Sequence, residues 1–451
     1  MSRQVAPHSP PVALSIAGSD SGGGAGVQAD IKTMEAHGVF ATSALTAITA
    51  QNTQGVARSH VLPTEEIDAQ IDAVMSDFDV GAIKTGMLAT SEVVELVAGT
   101  LAGQEVPTVI DPVMVAATGD RLLEAEAERA YEKLIAEATV VTPNVDEATV
   151  LTGIEPADTD DAREVGEKLV EMGAETALVK GGHLPTAEVE DVLVTDGGAT
   201  VFEHARIDTE ATHGSGCTLA SAIAARLARG EDLEEAIEGA LDFMERAVRY
   251  PLDVGEGPGS VHHLAHLRNR AEREPTAEEV ERIVERFVSK NVRKLVPEVG
   301  MNVVGATPYA EGVDEIAAVE GRITRTMAGI SPNRGVRFGA SSHVARFLLA
   351  AREFESDLRF AVNCRFDTDV ETALDALSAP AAEFDRASEP ADVKQEEGST
   401  MGWGARQAFG GDETPAAVID RGEVGKEAIL KVVASDPELL IERTLAVHDA
   451  L

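Results

Sequence analysis

The sequence predicts an α/β fold: a doubly wound domain followed by a second, separate α/β domain. Three observations carry that reading. Short β-branched runs alternate with amphipathic helical stretches along the first half of the chain. Glycine-rich or polar clusters stand where those runs end, as at Gly18–Gly26, Gln51-Asn52 and Asp111-Pro112. A border rich in Gly, Pro and charge then interrupts the pattern over residues 252–276, and a new helix and new strands follow it.

Composition bounds the function. A chain of 451 residues accommodates two or three domains, and 44% hydrophobic residues supply large cores. Two cysteines exclude a disulfide framework and point to a reducing, cytoplasmic compartment. No basic start leads into an apolar segment, and no apolar run reaches about 18 residues, so neither a signal peptide nor a membrane span is expected. The net charge of -40, from 78 acidic and 38 basic residues, repels nucleic acid and anionic membranes. The acids are spread over helix faces rather than gathered in a tail. This resembles the acidic proteins of salt-loving organisms, whose internal salt screens self-repulsion.

Val12–Ala17 reads as a buried strand, the glycine loop follows, and Val27–His37 reads as a helix. That order makes a ligand cradle. Gly24–Ala29 formally fits a dinucleotide fingerprint, but no acid stands about 20 residues on, and there is no Walker loop. Ser43–Thr49 reads as a second strand. Gln51-Asn52-Thr53 behind it is either an Asx-type turn or an amide pair that reads a polar heterocycle. Helices are expected at Thr64–Phe78, Ser91–Ala102, Leu122–Glu137 and Ala162–Met172. Strands are expected at Val80–Met87, Thr108–Pro112, Thr139–Thr142, Thr176–Val179, Val189–Val194, Val201–Glu203 and Ile207. Asp111, Asn144 and Lys180 then fall at strand ends, where open α/β sheets bind ligands. Lys84 has a structural reading.

The chain is organised around Thr212-His213-Gly214-Ser215-Gly216-Cys217-Thr218, ahead of a helix at Leu219–Arg229. Gly214 and Gly216 let N–H groups turn toward one point. The helix start adds donors and a positive dipole end. An anion could sit there beside Cys217. The same residues also read as a plain capped helix with a buried cysteine.

Past the border, a helix is expected at Glu278–Asn291 and strands at Met301–Gly305 and Ile316–Val319. Phe338 begins a turn, and Ser342 would cap a helix at His343–Glu353. Arg322, Arg337 and His343 are either an anion site beside Ser341 and Ser342 or exposed charge near a helix start. Leu358–Phe366 reads as a strand, Thr368–Leu377 as a helix, and Glu397–Gly404 as a glycine-rich loop with the only Trp. After a strand at Pro415–Asp420, Arg421–Lys426 would open a terminal helix, with Lys426 in a second phosphate pocket. Val433–Leu451 reads as mostly helical. His262 and His266 stand four apart, without Cys or carboxylate at metal spacing.

Residues 11 to about 266 resemble the hydroxymethylpyrimidine kinase/phosphomethylpyrimidine kinases of thiamine biosynthesis, within the ribokinase-like superfamily. The resemblance rests on Ala17–Asp20, Gly22–Ala29, Ala50–Thr53, Lys84–Met87, Asp111–Met114, Thr142–Asn144, Val179–His183 and Thr212–Cys217. One departure is Ala117, where a lysine often stands. The resemblance implies ATP-dependent phosphorylation of the pyrimidine alcohol and then of its monophosphate. It implies substrate contacts at Asp20, Gly24, Gln51 and Met87, and an anion hole at Gly214, Ser215 and Gly216. Cys217 would be catalytic, Lys180 and Asn144 would lie near the phosphates, and Asp111 near a magnesium ion.

Residues 278–451 resemble the archaeal-type thiamine-phosphate synthase domain, on Gly321-Arg322, Phe338–Ala345, Phe384–Arg386, Glu397–Thr400, Asp420–Gly422 and Gly425–Glu427. This implies catalytic roles for Arg322 and His343; Arg337, Ser341, Ser342 and Lys426 are the phosphate-binding candidates that the local sequence offers beside them. The expectation is a bifunctional enzyme from a halophilic archaeon, with a kinase domain at 1–266 and a synthase domain at 278–451. It uses ATP and Mg2+ on small-molecule substrates: the pyrimidine alcohol, its phosphates and thiazole phosphate. It binds no nucleic acid and no membrane, and a homodimer is admissible. Two alternatives stay open: a non-catalytic thiamine-phosphate sensor as second domain, and pyridoxal kinase activity in the first.

Overall fold

The structure, a computed structural model, describes residues 5–114, 130–182, 184, 188–390, 393, 399–411, 413–423 and 425–451. It divides into two compact units, Met1–His266 and Leu267–Leu451.

The first unit runs β1 (Val12–Ala17), α1 (Gly26–Ala36), β2 (Phe40–Leu45), β3 (Ala47–Asn52), β4 (Gly55–Val61), α2 (Thr64–Met75), β5 (Val80–Thr85), α3 (Ser91–Leu101), β6 (Thr108–Ile110), α4 (Tyr131–Ile135) and β7 (Val140–Val141). It continues with α5 (Val145–Thr152), α6 (Thr159–Glu171), β8 (Thr176–Val179), β9 (Glu188–Thr195), β10 (Gly198–Ala205), α7 (Ser215–Ala228) and α8 (Leu233–Arg249). Eight strands form one sheet in the order β10-β9-β8-β7-β6-β5-β1-β2. Neighbours from β2 to β8 are parallel, while β9 and β10 close one side antiparallel. β3 and β4 form a separate hairpin.

A parallel sheet must be covered on both faces. The strand period of two does this: Ala13, Ala82 and Val109 join the apolar layer of α7 and α8, while Leu14, Ile83 and Ile110 join the layer of α3 and α6. The shared strand direction puts all C-terminal ends along one edge. Gly18, Gly86, Asp111, Thr142 and Lys180 each follow a strand end there.

One buried polar node fastens the helices to that edge. Lys84 on β5 donates to both Asp30 oxygens, at 2.9 and 3.1 Å. Ser15 on β1 donates to Asp30 at 2.5 Å and Ser221 on α7 at 2.7 Å. All four residues are fully buried. Burial favours the neutral amine, but the Asp30 carboxylate outweighs it and holds Lys84 charged.

The second unit contains α9 (Ala265–Ala271, which begins before the division), α10 (Arg273–Lys290), β11 (Val303–Ala306), β12 (Ile316–Val319), β13 (Ile323–Arg325), β14 (Ile330–Pro332), β15 (Val336–Phe338) and α11 (His343–Arg352). Then come β16 (Phe360–Arg365), α12 (Thr368–Ala373), β17 (Ala381–Phe384), α13 (Ser399–Phe409), β18 (Ala417–Asp420), β19 (Ile429–Ala434) and α14 (Pro437–Asp449). The seven-stranded sheet has the order β15-β12-β11-β16-β19-β18-β17, parallel only between β17 and β18. Val303, Val362 and Val432 face α10 and α14; Val304, Ala361 and Val433 face α11 and α13.

Several expectations are corrected. The strand read at Ser43–Thr49 is two strands, broken where Thr46 donates its N–H to Ala17 and its hydroxyl to Met87 O. Ile207 lies outside any strand, and the helix after the central loop begins at Ser215 rather than Leu219. The border becomes helical from Ala265 onward: Pro275 sits at the third position of α10, where a missing N–H removes no helical bond. Phe338 ends a strand. Trp403 lies in α13, and Gly404 there is required because a Cβ would meet the Phe384 ring at 2.6 Å. Arg421–Lys426 opens no helix; β19 follows it, driven by the run Ile429-Leu430-Lys431-Val432-Val433. The terminal helix starts at Pro437, with Asp436 accepting the Leu439 N–H as cap. Residues 115–129 (the first half of the helix expected from Leu122, and Ala117), His183, residues 394–398 and Val424 lie outside the described residues.

The Asp30 node predicts a large effect from one change. Lys84→Met leaves a buried carboxylate unpaired and should destabilise the first unit by about 3–5 kcal/mol. Adding Asp30→Asn should recover part of the loss. Equilibrium denaturation of the two variants and the wild type checks this, and additive losses would contradict it.

Candidate active site

The first glycine loop is shaped by Asp20. Its carboxylate accepts the N–H groups of Gly22, Gly24 and Ala25 at 2.7, 2.9 and 2.8 Å. The same carboxylate lies 3.1 Å from His213 Nε2, on the central loop. Burial alone would raise the Asp20 pKa, but the His213 hydrogen bond and the backbone donors outweigh it and hold it below the usual range. The loops also touch through backbone. Gly214 has φ 83°, and a Cβ there would fall 1.9 Å from Gly24 O. Only glycine fits both the angle and the approach.

Ser215, Gly216 and Cys217 form the first turn of α7, whose start leaves N–H donors without helical partners. Two cavities meet there. One, of about 440 Å³, is lined by Ser19, Asp20, Gln51, Met87, Asp111, Glu147 and Cys217. The other, of about 490 Å³, has apolar walls from Leu219, Leu241, Met244 and Val248. Asn144, Lys180, Thr212, Ser215 and Gly216 border both. Met87 lies over Gly18, whose missing Cβ leaves room for its Sδ and Cε. Gly24 is not among the described lining residues; it packs against His213 and Gly214.

Charge concentrates where the cavities join. Lys180 Nζ lies 3.2 Å from Asp111 and 3.7 Å from Glu147, all three nearly or fully removed from solvent. Burial disfavours the Lys180 charge, but Asp111 and Glu147 outweigh it and raise its pKa. Burial pushes Glu147 up to about 7, against Lys180 and with a smaller push from Asp111. One ammonium thus faces two carboxylates. Asn144 caps α5: its side chain accepts the Glu147 N–H at 2.9 Å, and Glu147 accepts the Asn144 N–H at 2.8 Å. Burial pushes the half-buried Cys217 thiol up to about 11, although Lys84 pulls the other way. The thiol is therefore neutral near pH 7.

Sequence reasoning missed two parts of this site. Glu147 reads as an ordinary first-turn acid, though its spacing from Asn144 is a capping-box signal. Leu241, Met244 and Val248 read as one core face of an amphipathic helix, and nothing in their spacing marks a cavity.

In the second unit a cleft of about 350 Å³ brings together Arg322, Ser341, Ser342 and His343 with Asn302, Asn363, Arg386, Asp420 and Lys431. Arg322 has a left-handed backbone, φ 71°, unusual for a non-glycine residue, and its guanidinium donates to Val299 O. Ser342 occupies the N-cap position of α11 without a capping bond; its Oγ lies 3.3 Å from His343 Nδ1. Arg337 and Lys426 are not among the described residues of this cleft. Arg337 pairs with Glu320 at 3.2 Å and Lys426 with Glu423 at 2.7 Å, both exposed.

A doubly wound sheet with two cavities meeting at a glycine-rich helix start defines the class of the first unit: a ribokinase-like phosphotransferase. Comparison with known proteins narrows this. Residues 20–262 match the phosphomethylpyrimidine kinase family, over half of the chain, and the chain belongs to that family. Residues 279–446 match the thiamine-phosphate synthase ThiN domain. The hydroxymethylpyrimidine/phosphomethylpyrimidine kinase of Haemophilus influenzae is 44% identical over 261 residues, 56% of this chain and 97% of that protein. The thiamine biosynthesis bifunctional protein ThiED of Geobacter sulfurreducens is 44% identical over 253 residues, 56% of this chain and 52% of that protein. Among solved structures, the ADP complex of Bacillus subtilis pyridoxal kinase is 38% identical with a TM-score of 0.54, covering 57% of this chain and 99% of that one. The Staphylococcus aureus pyridoxal kinase with AMP-PCP and pyridoxal is 30% identical with a TM-score of 0.53, covering 58% and 96%. The chain is thus a thiamine-pathway kinase fused to a thiamine-phosphate synthase domain.

The Asp20 clamp carries a pH signature. Its folded pKa is depressed, so its stabilisation is present above the ordinary carboxylate value of about 3.9. It fades as pH falls through the folded pKa. Asp20→Asn should therefore unfold at lower denaturant than wild type at pH 7, and the gap should narrow below pH ~4. A gap independent of pH would remove the charge from this account.

Proposed function

We propose that the first unit phosphorylates a hydroxymethyl-aminopyrimidine, then its monophosphate, and that the second unit joins the diphosphate to a thiazole phosphate. The observation that carries the kinase half is the meeting of the two cavities at Gly214–Cys217 beside Lys180. The apolar cavity suits a purine base. Phosphates at the junction would be held by the N–H groups of the first turn of α7 and by Lys180. The solved relative with AMP-PCP and pyridoxal supports a nucleotide and an acceptor held together. Gln51 would read the amino and ring nitrogens of the pyrimidine, with Met87 packed on its face and Asp20 shaping the loop beneath.

A neutral thiol cannot remove a proton in advance. Cys217 would therefore orient the acceptor hydroxyl by hydrogen bonding, and the hydroxyl proton would pass to an oxygen of the transferred phosphate as the new O–P bond forms and the bond to the ADP oxygen breaks, which suits a loose transition state governed by positioning. Asp111 and Glu147, facing one lysine, fit a hard divalent cation such as magnesium. No cluster of three metal-binding side chains occurs among the described residues, so phosphate oxygens and water would complete its shell. Such an ion would neutralise charge on the transferring phosphate.

In the second unit, Arg322 would neutralise the departing pyrophosphate. His343 would hydrogen-bond phosphate at the start of α11. Arg337 and Lys426 would then guide anions from outside the cleft. A surface this acidic suits a salt-loaded cytoplasm, so we assign the chain to a halophilic archaeon. The likeness to solved pyridoxal kinases, at 30% and 38% identity, favours one side reaction, phosphorylation of pyridoxal by the first unit, which competition between pyridoxal and the pyrimidine alcohol would measure.

Two outcomes test the assignment. Cys217→Ala should lower phosphoryl transfer by about 10²-fold while full-chain coupling of supplied diphosphate continues. Arg322→Ala and His343→Ala should each lower coupling and leave the kinase rate unchanged. Product analysis from pyrimidine alcohol, ATP, magnesium and thiazole phosphate reads both. An intact second unit that binds thiamine phosphate tightly but never couples would make it a sensor.

A further inference from the structure

Lys431 is buried at a position built for an apolar side chain. On β19 its side chain alternates with Leu430 and Val432 and shares a face with Val433, which belongs to the layer of Phe347, Phe384 and Ala405. Only 3% of it is exposed, and its Nζ has no hydrogen-bond partner. The nearest carboxylate, Asp420 on the adjoining strand, is 3.7 Å away and already accepts two bonds of 2.8 Å from Arg386. Nζ also stands over the Phe347 and Phe384 rings, at 5.0 and 5.6 Å.

The other buried polar groups around the cleft are spent on the fold. Asn363, directly across from Lys431 in the sheet, donates to Gly300 O at 3.0 Å and accepts the Asn302 N–H at 2.6 Å. Asn302 bonds both polar groups of Val319. Lys431 alone in this row holds a charge without a hydrogen bond, and it lines the cleft that contains Arg322 and His343. A buried ammonium in that state destabilises the apo protein unless a ligand supplies the missing acceptor.

We propose that Lys431 is the inner anion-binding residue of this cleft, taking a phosphate oxygen of a pyrophosphate or phosphate ester opposite Arg322. The bidentate Arg386–Asp420 pair holds the strand end and keeps Asp420 from pairing fully with Lys431. The inference rests on the reading of the second unit as a site for phosphorylated substrates. Burial lowers the Lys431 pKa to about 8 against the pull of Asp420, so the ammonium predominates near neutrality.

The test uses the full chain with ADP held saturating, so that the phosphate site of the first unit is filled. Inorganic pyrophosphate and thiamine phosphate are titrated separately by calorimetry into wild type, Lys431→Gln and Lys431→Met. Both variants should bind either anion at least about tenfold more weakly, the scale of a lost charge-assisted hydrogen bond. Lys431→Met should also raise the unfolding temperature of the second unit, because methionine fits between Phe347 and Phe384 without an unpartnered charge. Variants that bind the anions as tightly as wild type overturn the inference. A wild type that binds neither anion overturns it together with the reading of the second unit. A wild type that binds thiamine phosphate, but neither binds pyrophosphate nor couples substrates, overturns the synthase reading alone, and Lys431 is then judged on thiamine phosphate.

Discussion

The first unit depends on one carboxylate. Asp30 sits at the crossing of two strands and two helices and accepts from Ser15, Lys84 and Ser221. The helices it joins are those that follow the two glycine loops. Fixing α1 against α7 fixes the loops that lead into them. Asp20 and His213 then tie the loop tips, and Gly24 and Gly214 let the backbones close to van der Waals distance. The turn that opens α7 is thus held through its helix by an ion pair and at the loop tips by a hydrogen bond. Neither group needs to touch a substrate to matter for its position.

In a chain of net charge -40, an anion would have to be held by local rather than global field. The first site offers N–H groups, which carry no net charge, and a single lysine, Lys180. The second cleft is lined by side-chain cations instead, Arg322 and Lys431 among them. Arg337 and Lys426 show the contrast. Each carries a charge like those of the cleft residues, yet each is itself exposed and paired with a glutamate, where its charge is screened and partly cancelled.

Much of this was legible in the sequence where local chemistry decides the outcome. β-branched runs ending in Gly, Asp-Pro or Lys-Gly mark strand ends, and strand ends mark the site edge in a parallel sheet. The second unit was less legible because its sheet is mostly antiparallel. There function gathers from strand faces and distant loops rather than along one edge. Lys426 illustrates this: its glycine-flanked segment looks like a helix start, but the β-branched run just after it pairs with β16 and β18. Lys431 was hidden for the same reason. A single lysine in a strand ordinarily points to water, and only the packing of α11 and α13 over that face shows that it does not.

The two buried lysines define the difference between a structural and a functional charge. Lys84 and Lys431 both lie on central strands, and both are almost wholly removed from solvent. Lys84 has two bonds to Asp30, and its partner is satisfied in turn by two hydroxyls, so the charge is complete within the fold. Its pKa accordingly rises, while that of Lys431 falls. Asp420 does not do for Lys431 what Asp30 does for Lys84, because it is drawn into a bidentate pair with Arg386 and stands 3.7 Å from Nζ, beyond hydrogen-bond reach. The same residue type in the same kind of strand therefore closes a network in one unit and leaves one open in the other. An open network beside a cleft is a place where binding energy has yet to be realised.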